Sequence, residues 1–323
     1  MAKNKPWQLP NIFDTQRVGK GVKKSEVKDP SFKNFFKYFG RSFTKLLNVN
    51  LMFTLLCLPI FSLFFAIAGF TNVASPAASS TLFGPVRAAV ISGNVNPVTM
   101  SLYGAYGIQT SQSVRLTAAT IVFYAIAALV IFTWGYANTG MFYVIRNIQK
   151  GEPVFMFADF KQTIKQNKFQ ALILGIIDLI IIAVTIYDLQ FFAINASLSS
   201  MYSVMFWICV FIALSYLIMR VYIYLMLATF DLSIFKMFKN GLIFAFIGLK
   251  RNVPAIIGMV AVIFLNIILL IAFMPIGIIL PFILTFAICA YIGVYAAYPK
   301  IKEIMIDPYY DENGEVFEDT EGE

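Results

Sequence analysis

Hydrophobic positions in this chain run in long charge-free stretches. Between Arg251 and Lys300 stand 48 consecutive residues without Asp, Glu, Lys or Arg, interrupted near the middle by Met274-Pro275. A spanning helix needs about 20 apolar residues to cross roughly 30 Å of hydrocarbon, so this stretch suffices for two helices joined by a tight turn. Charge-poor runs recur between Lys45 and Arg87, Arg115 and Arg146, and Lys168 and Arg220. The pattern predicts six transmembrane helices, at about Leu46–Phe70, Leu116–Gly140, Ala171–Asp188, Ser203–Ala228, Val253–Phe273 and Pro275–Ala296. The fold class is all-α, a polytopic membrane protein.

Ahead of every second span the period changes to an amphipathic one. Asp29-Pro30 supplies an N-cap and a first-turn proline, after which Phe32, Phe35, Phe36 and Phe39 share a face and Lys33, Lys37 and Arg41 lie elsewhere. Phe157, Phe160 and Ile164 oppose Lys161, Lys165 and Lys168 in the second such segment. In the third, Asp231 or Ser233 can cap a run in which Ile234, Phe235, Phe238 and Leu242 share a face. Each segment reaches a base and an asparagine at the membrane, as Lys45 and Asn48, Lys165 and Asn167, Arg251 and Asn252. Any single interfacial helix has this composition. Its regular recurrence predicts three membrane hairpins, each preceded by a cytoplasmic amphipathic helix.

Charge orients the arrangement. Of 25 Lys and Arg, 22 fall in the amino-terminal tail, the second-to-third and fourth-to-fifth connections, and the start of the carboxyl tail, so the positive-inside rule places both termini in the cytoplasm. The expected division is a basic tail at 1–30, a membrane domain at 31–302 and an acidic tail at 303–323 that carries nine acids and no bases. The amino terminus has no apolar core or cleavage site of a signal peptide. One external connection, 71–115, is long; Ser75-Pro76, Gly93-Asn94 and Asn96-Pro97 mark loop, while Val86–Ile91 and Tyr103–Ile108 are apolar enough to lie on the membrane or on a partner.

The composition, 59% hydrophobic with no His and only three Cys, contains no phosphate loop, nucleophile elbow or metalloprotease motif. The expectation is no catalytic residue, no metal site, no cofactor, no enzymatic activity and no nucleic-acid partner; membrane lipids are the expected contact. Asp178 lies ten residues past Lys168, which at about 1.5 Å per residue puts a carboxylate near the bilayer centre, where it needs a partner or a proton. Arg220, eleven residues before Asp231, reaches a similar depth on the next helix. The two are expected to form an intramembrane ion pair that either locks helices together or lines a substrate or proton path.

The run GYANTGMFYVIRN at 135–147, Lys150-Gly151-Glu152, FADFK at 157–161 and KQNKFQA at 165–171 resemble the signature region of the YesL-like family of bacterial integral membrane proteins of unknown function, and LLCLP at 55–59 resembles its first helix. The long connection at 71–115 and the extended tails depart from that pattern. The resemblance implies a Gram-positive plasma-membrane protein whose relatives are commonly encoded beside carbohydrate-uptake ABC transporters and polysaccharide-degrading enzymes. Within the motif, Arg146, Asn147 and Lys150, with Lys161 and Lys165, form the expected cytoplasmic interface, with headgroup anchoring the favoured role. Gly135, Ala137 and Gly140 leave room for close helix packing.

Three functions follow as expectations. The first is a non-enzymatic accessory or assembly subunit of a carbohydrate-uptake ABC system, in contact with permease subunits. The second is an autonomous small-solute carrier or channel, whose polar path would draw on Asp178, Arg220 and Asn266. The third is a membrane sensor or scaffold using the 71–115 loop and the acidic tail.

Overall fold

A computed structural model of the chain describes residues 31–69, 71–78, 85, 88–90, 92–93, 96–107 and 110–309. Its described part is helical apart from one short ribbon. Five segments are long and apolar enough to cross a membrane, or six with a bent pair counted as one span. This is a multi-pass membrane protein.

The first amphipathic segment and the first span form one helix, α1 (Phe32–Cys57), where the sequence pattern suggested an interfacial helix followed by a separate span. Phe35 and Phe39 explain the continuity: both rings pack on Tyr291, with centroids 5.4 and 5.8 Å away, so the amphipathic part docks onto the bundle. Pro59 then breaks the helix, because a proline cannot donate to the preceding turn and its ring crowds the carbonyl four residues back. The chain resumes as α2 (Pro59–Ala68), bent by 57° from α1.

Within 71–115, where the sequence suggested loop, β1 (Val73–Ala78) pairs antiparallel with β2 (Thr110–Arg115), Val73 opposite Arg115, around α3 (Pro97–Gly107). Asn96 caps α3 by accepting the Thr99 amide at 2.7 Å. The expected surface segment Val86–Ile91 and Arg87 fall largely outside the described residues. The ribbon leads into α4 (Ala118–Ala128) through a polar knot. Thr117 donates to the Thr71 carbonyl at 2.7 Å and Thr120 donates to Asn72 at 2.7 Å, tying the end of α2 to the start of α4.

From α4 the span continues through α5 (Val130–Lys150), stopping at Gly151 in the left-handed region at φ 73°. After α6 (Met156–Gln166) a single residue, Asn167, separates it from α7 (Lys168–Asn195), which returns as α8 (Ser200–Leu227). Then follow α9 (Ile234–Ile247), α10 (Leu249–Ala272), α11 (Met274–Leu280), a wide π turn at Pro281–Thr285 and α12 (Phe286–Ile301). Helical turns run on to Tyr309, past the 302 boundary expected for the membrane domain.

Two asparagines repair the interruption at Pro281. Having no N–H, Pro281 leaves the Gly277 carbonyl without its helical donor; Asn266 of α10 supplies one at 2.9 Å. From α1, Asn50 donates to the carbonyls of Pro281 and Phe282 at 2.9 and 2.8 Å and accepts the Ala287 amide at 2.8 Å. In hydrocarbon an open backbone group costs several kcal/mol, so a broken helix persists there only with such partners.

Burial is concentrated in one half of the bundle, the end at which Lys150, Lys168 and Asp231 lie. Ile218, Val221 to Leu227, Ala137 and Met141 to Ile148 are almost all buried, whereas the far ends of α7 and α8 turn Tyr187, Ile194, Met201 and Trp207 outward. Close backbone contact makes this half dense. A Cβ on Gly135 would overlap the Ala171 carbonyl, one on Gly175 the backbone of Gly135, and one on Gly140 the ring of Phe160. With Ala137 fully buried, Gly135, Ala137 and Gly140 all sit at helix contacts. Gly175 stands four residues from Ala171, the small-x3-small signature of close membrane helices.

Candidate functional site

Helical spacing of four builds the buried polar centre. Tyr216, Arg220 and Tyr224 share one face of α8, Trp134 and Asn138 one face of α5, and Asp178 projects from α7 between them. Arg220 Nε lies 2.9 and 2.8 Å from the two Asp178 oxygens. Tyr216 donates to Oδ1 at 2.7 Å, while Trp134 Nε1 and the Tyr224 hydroxyl donate to Oδ2 at 2.8 and 2.9 Å. Asn138 accepts from the Arg220 guanidinium and donates to the Trp134 carbonyl at 2.8 Å.

An ionised carboxylate offers about four lone-pair directions. Four residues fill those of Asp178, which is 1% exposed. The guanidinium is held between the rings of Trp134 and Tyr224, at 5.4 and 5.2 Å from their centroids, so its positive charge is compensated by π faces as well as by the carboxylate. Charge and lone pairs are answered inside the cluster, and the arrangement is suited to hold α5, α7 and α8 in register.

Sequence reasoning placed Asp178 and Arg220 but passed over Trp134, Asn138, Tyr216 and Tyr224. The i, i+4, i+8 spacing of Tyr216, Arg220 and Tyr224 was the available signal.

Arg146 and Asn147 depart from their expected role at the membrane surface. Arg146 is 8% exposed and Asn147 5%. The Arg146 guanidinium donates to the Ala228 carbonyl and the Thr229 hydroxyl, both at 2.7 Å, and to Asn147 Oδ1 at 3.1 and 2.9 Å. It thus caps the carbonyl end of α8, where a cation is favoured by both hydrogen bonding and the helix dipole. This replaces headgroup anchoring for these two residues: a base buried against a helix terminus cannot also reach lipid phosphate. Lys150 pairs with Glu152 at 2.6 Å at the surface, and Lys161 and Lys165 are exposed on α6.

Asn266, considered for a polar path, is occupied in repairing the Pro281 break.

Residues 116–189, spanning α4, α5, α6 and most of α7, match the model of a family described as "Protein of unknown function, DUF624". The chain carries a YesL-like segment. The Gly135–Gly175 crossing, Trp134, Asn138, Arg146 and Asp178 lie inside this YesL-like segment, while Arg220 and its two tyrosines lie beyond it. No curated protein and no solved structure matches the chain.

Proposed function

We propose that this chain is a non-enzymatic accessory or assembly subunit of a carbohydrate-uptake ABC system in a plasma membrane. One observation carries the non-transporting part of this reading: the buried polar cluster around Asp178 spends its donors and acceptors on itself. A carrier holds its solute with groups left open at the midplane. An interrupted span such as that at Pro281 is a feature that carriers use, yet the freed carbonyls here are taken by Asn50 and Asn266. The association with sugar uptake rests on the YesL-like resemblance, whose relatives are commonly encoded beside such transporters.

In this reading the dense, basic end of the bundle is cytoplasmic, with both termini. The chain forms three hairpins, each led by an amphipathic segment, and the 71–115 ribbon and helix face outward as a contact surface. Orientation is tested by single-cysteine labelling in a background without Cys57, Cys209 and Cys289: Ser200→Cys should react in intact cells and Glu152→Cys only after permeabilisation.

Assembly is tested by purification in mild detergent followed by mass spectrometry, with permease subunits expected in stoichiometric yield. Robust sugar flux in proteoliposomes containing this chain alone would remove the accessory-subunit reading.

A further inference from the structure

Beside the junction of α6 and α7 lies a cavity of about 570 Å³. One wall is formed by Lys165, Asn167, Lys168 and Gln170; the other comes from the end of α8 and includes Thr229 and Asp231. Its level in the membrane follows from its neighbours. It sits where the apolar run of α7 begins, with Phe169, 81% exposed, on its rim, and where Arg146 caps the carbonyl end of α8. That is the boundary between acyl chains and headgroups.

The charges of this cavity are not spent on each other. Lys165, Lys168 and Asp231 are exposed, and no ion pair joins them among the described residues. Elsewhere at this end charges do pair, as Lys150 with Glu152 and Lys300 with Glu303. Two lysines and one aspartate leave one net positive charge on the lining.

We infer that this cavity is a binding site for the headgroup of an anionic glycerophospholipid, with the phosphate against Lys165 and Lys168 and a distal hydroxyl toward Asp231. Charge complementarity selects the occupant. A phosphodiester with a glycerol end carries one negative charge and hydroxyl donors, matching a lining of one net positive charge that includes a carboxylate. A zwitterionic headgroup carries no net charge and gains less from it. Phe169 beside the opening offers an apolar surface to the acyl chains. The inference does not depend on the assembly reading, since it concerns only what fills this cavity.

The test is native mass spectrometry of the full chain released from bilayers of equal phosphatidylglycerol and phosphatidylethanolamine. The wild type should retain one phosphatidylglycerol per chain in preference to phosphatidylethanolamine. The double variant Lys165→Gln/Lys168→Gln should weaken that retention by roughly 10- to 30-fold, at the usual worth of a basic residue near an anionic surface. Asp231→Asn should reduce the preference for phosphatidylglycerol over phosphatidic acid, which lacks the distal hydroxyls. Lys236→Gln/Lys239→Gln, which removes two lysines of α9 outside the cavity, should leave retention unchanged. An equal loss from that control, equal retention of the two lipids, or displacement of the bound lipid by millimolar inorganic phosphate would each overturn the assignment.

Discussion

Asn266 donates its side-chain amide to the carbonyl oxygen of Gly277 at 2.9 Å, the group that Pro281 deprives of its helical donor. The replacement Asn266→Leu should therefore destabilise the protein by about 1–3 kcal/mol, the cost of an orphaned carbonyl, although a midspan leucine suits lipid better than an asparagine. Combined with Pro281→Ala, which restores the N–H, the same change should cost little. Thermal melting in detergent of the two single variants and the double variant checks this; equal losses for Asn266→Leu in both backgrounds would show that the amide serves something other than the proline break.

At the crossing of α5 and α7, a Cβ on Gly135 has nowhere to go except into the Ala171 carbonyl. Gly135→Ala is expected to separate the two helices and lower stability by about 1–3 kcal/mol, despite the better helix propensity of alanine. Since Gly135 and Trp134 are adjacent, the separation should also disturb the indole hydrogen bond to Asp178, read as a shift in tryptophan emission. An unchanged melting temperature would indicate that the helices are not this close.

The spans were legible because lipid imposes a simple rule, some twenty residues without charge, that no tertiary contact can override. Asp178 and Arg220 could be placed at one depth by counting residues from the basic ends of their helices. Their further partners were not legible: tyrosine and tryptophan inside a span look the same whether they face lipid, fill a core or donate to a carboxylate. Arg146 was misplaced for a related reason. A base after a span reads as an anchor, and only the position of the α8 terminus above it makes it a buried cap. The Asn50 repair and the 71–115 ribbon rest on contacts between distant segments, to which periodicity is blind; the bend at Pro59 has a local cause in the proline itself, which a count of apolar residues passes over.

The Arg146 cap separates two kinds of role sharply. If the side chain held headgroups, Arg146→Lys would preserve it; in the cap, lysine cannot reach Ala228, Thr229 and Asn147 at once, because it lacks the planar fork. Arg146→Lys and Arg146→Ala are both expected to lose about 1–3 kcal/mol, with no rescue by anionic lipid. Melting curves in bilayers with and without phosphatidylglycerol decide it: full rescue by lysine would return Arg146 to the membrane surface.

The polar centre makes the most demanding prediction. Asp178→Ala should leave the guanidinium uncompensated and Arg220→Ala the carboxylate, each costing about 3–5 kcal/mol unless water enters. Replacing both with apolar residues should recover part of that loss, since a buried pair contributes little net stability. Recovery should be incomplete, because Trp134, Tyr216 and Tyr224 would still point donors at a site without an acceptor. Tyr224→Phe therefore becomes diagnostic. In the wild type it removes one donor from a buried carboxylate and should cost about 1–3 kcal/mol; in the apolar double variant it removes an orphaned hydroxyl and should be neutral or stabilising. Melting of the resulting set of variants in detergent measures the change of sign. A Tyr224→Phe loss of the same size in both backgrounds would mean that the hydroxyl does not act through Asp178.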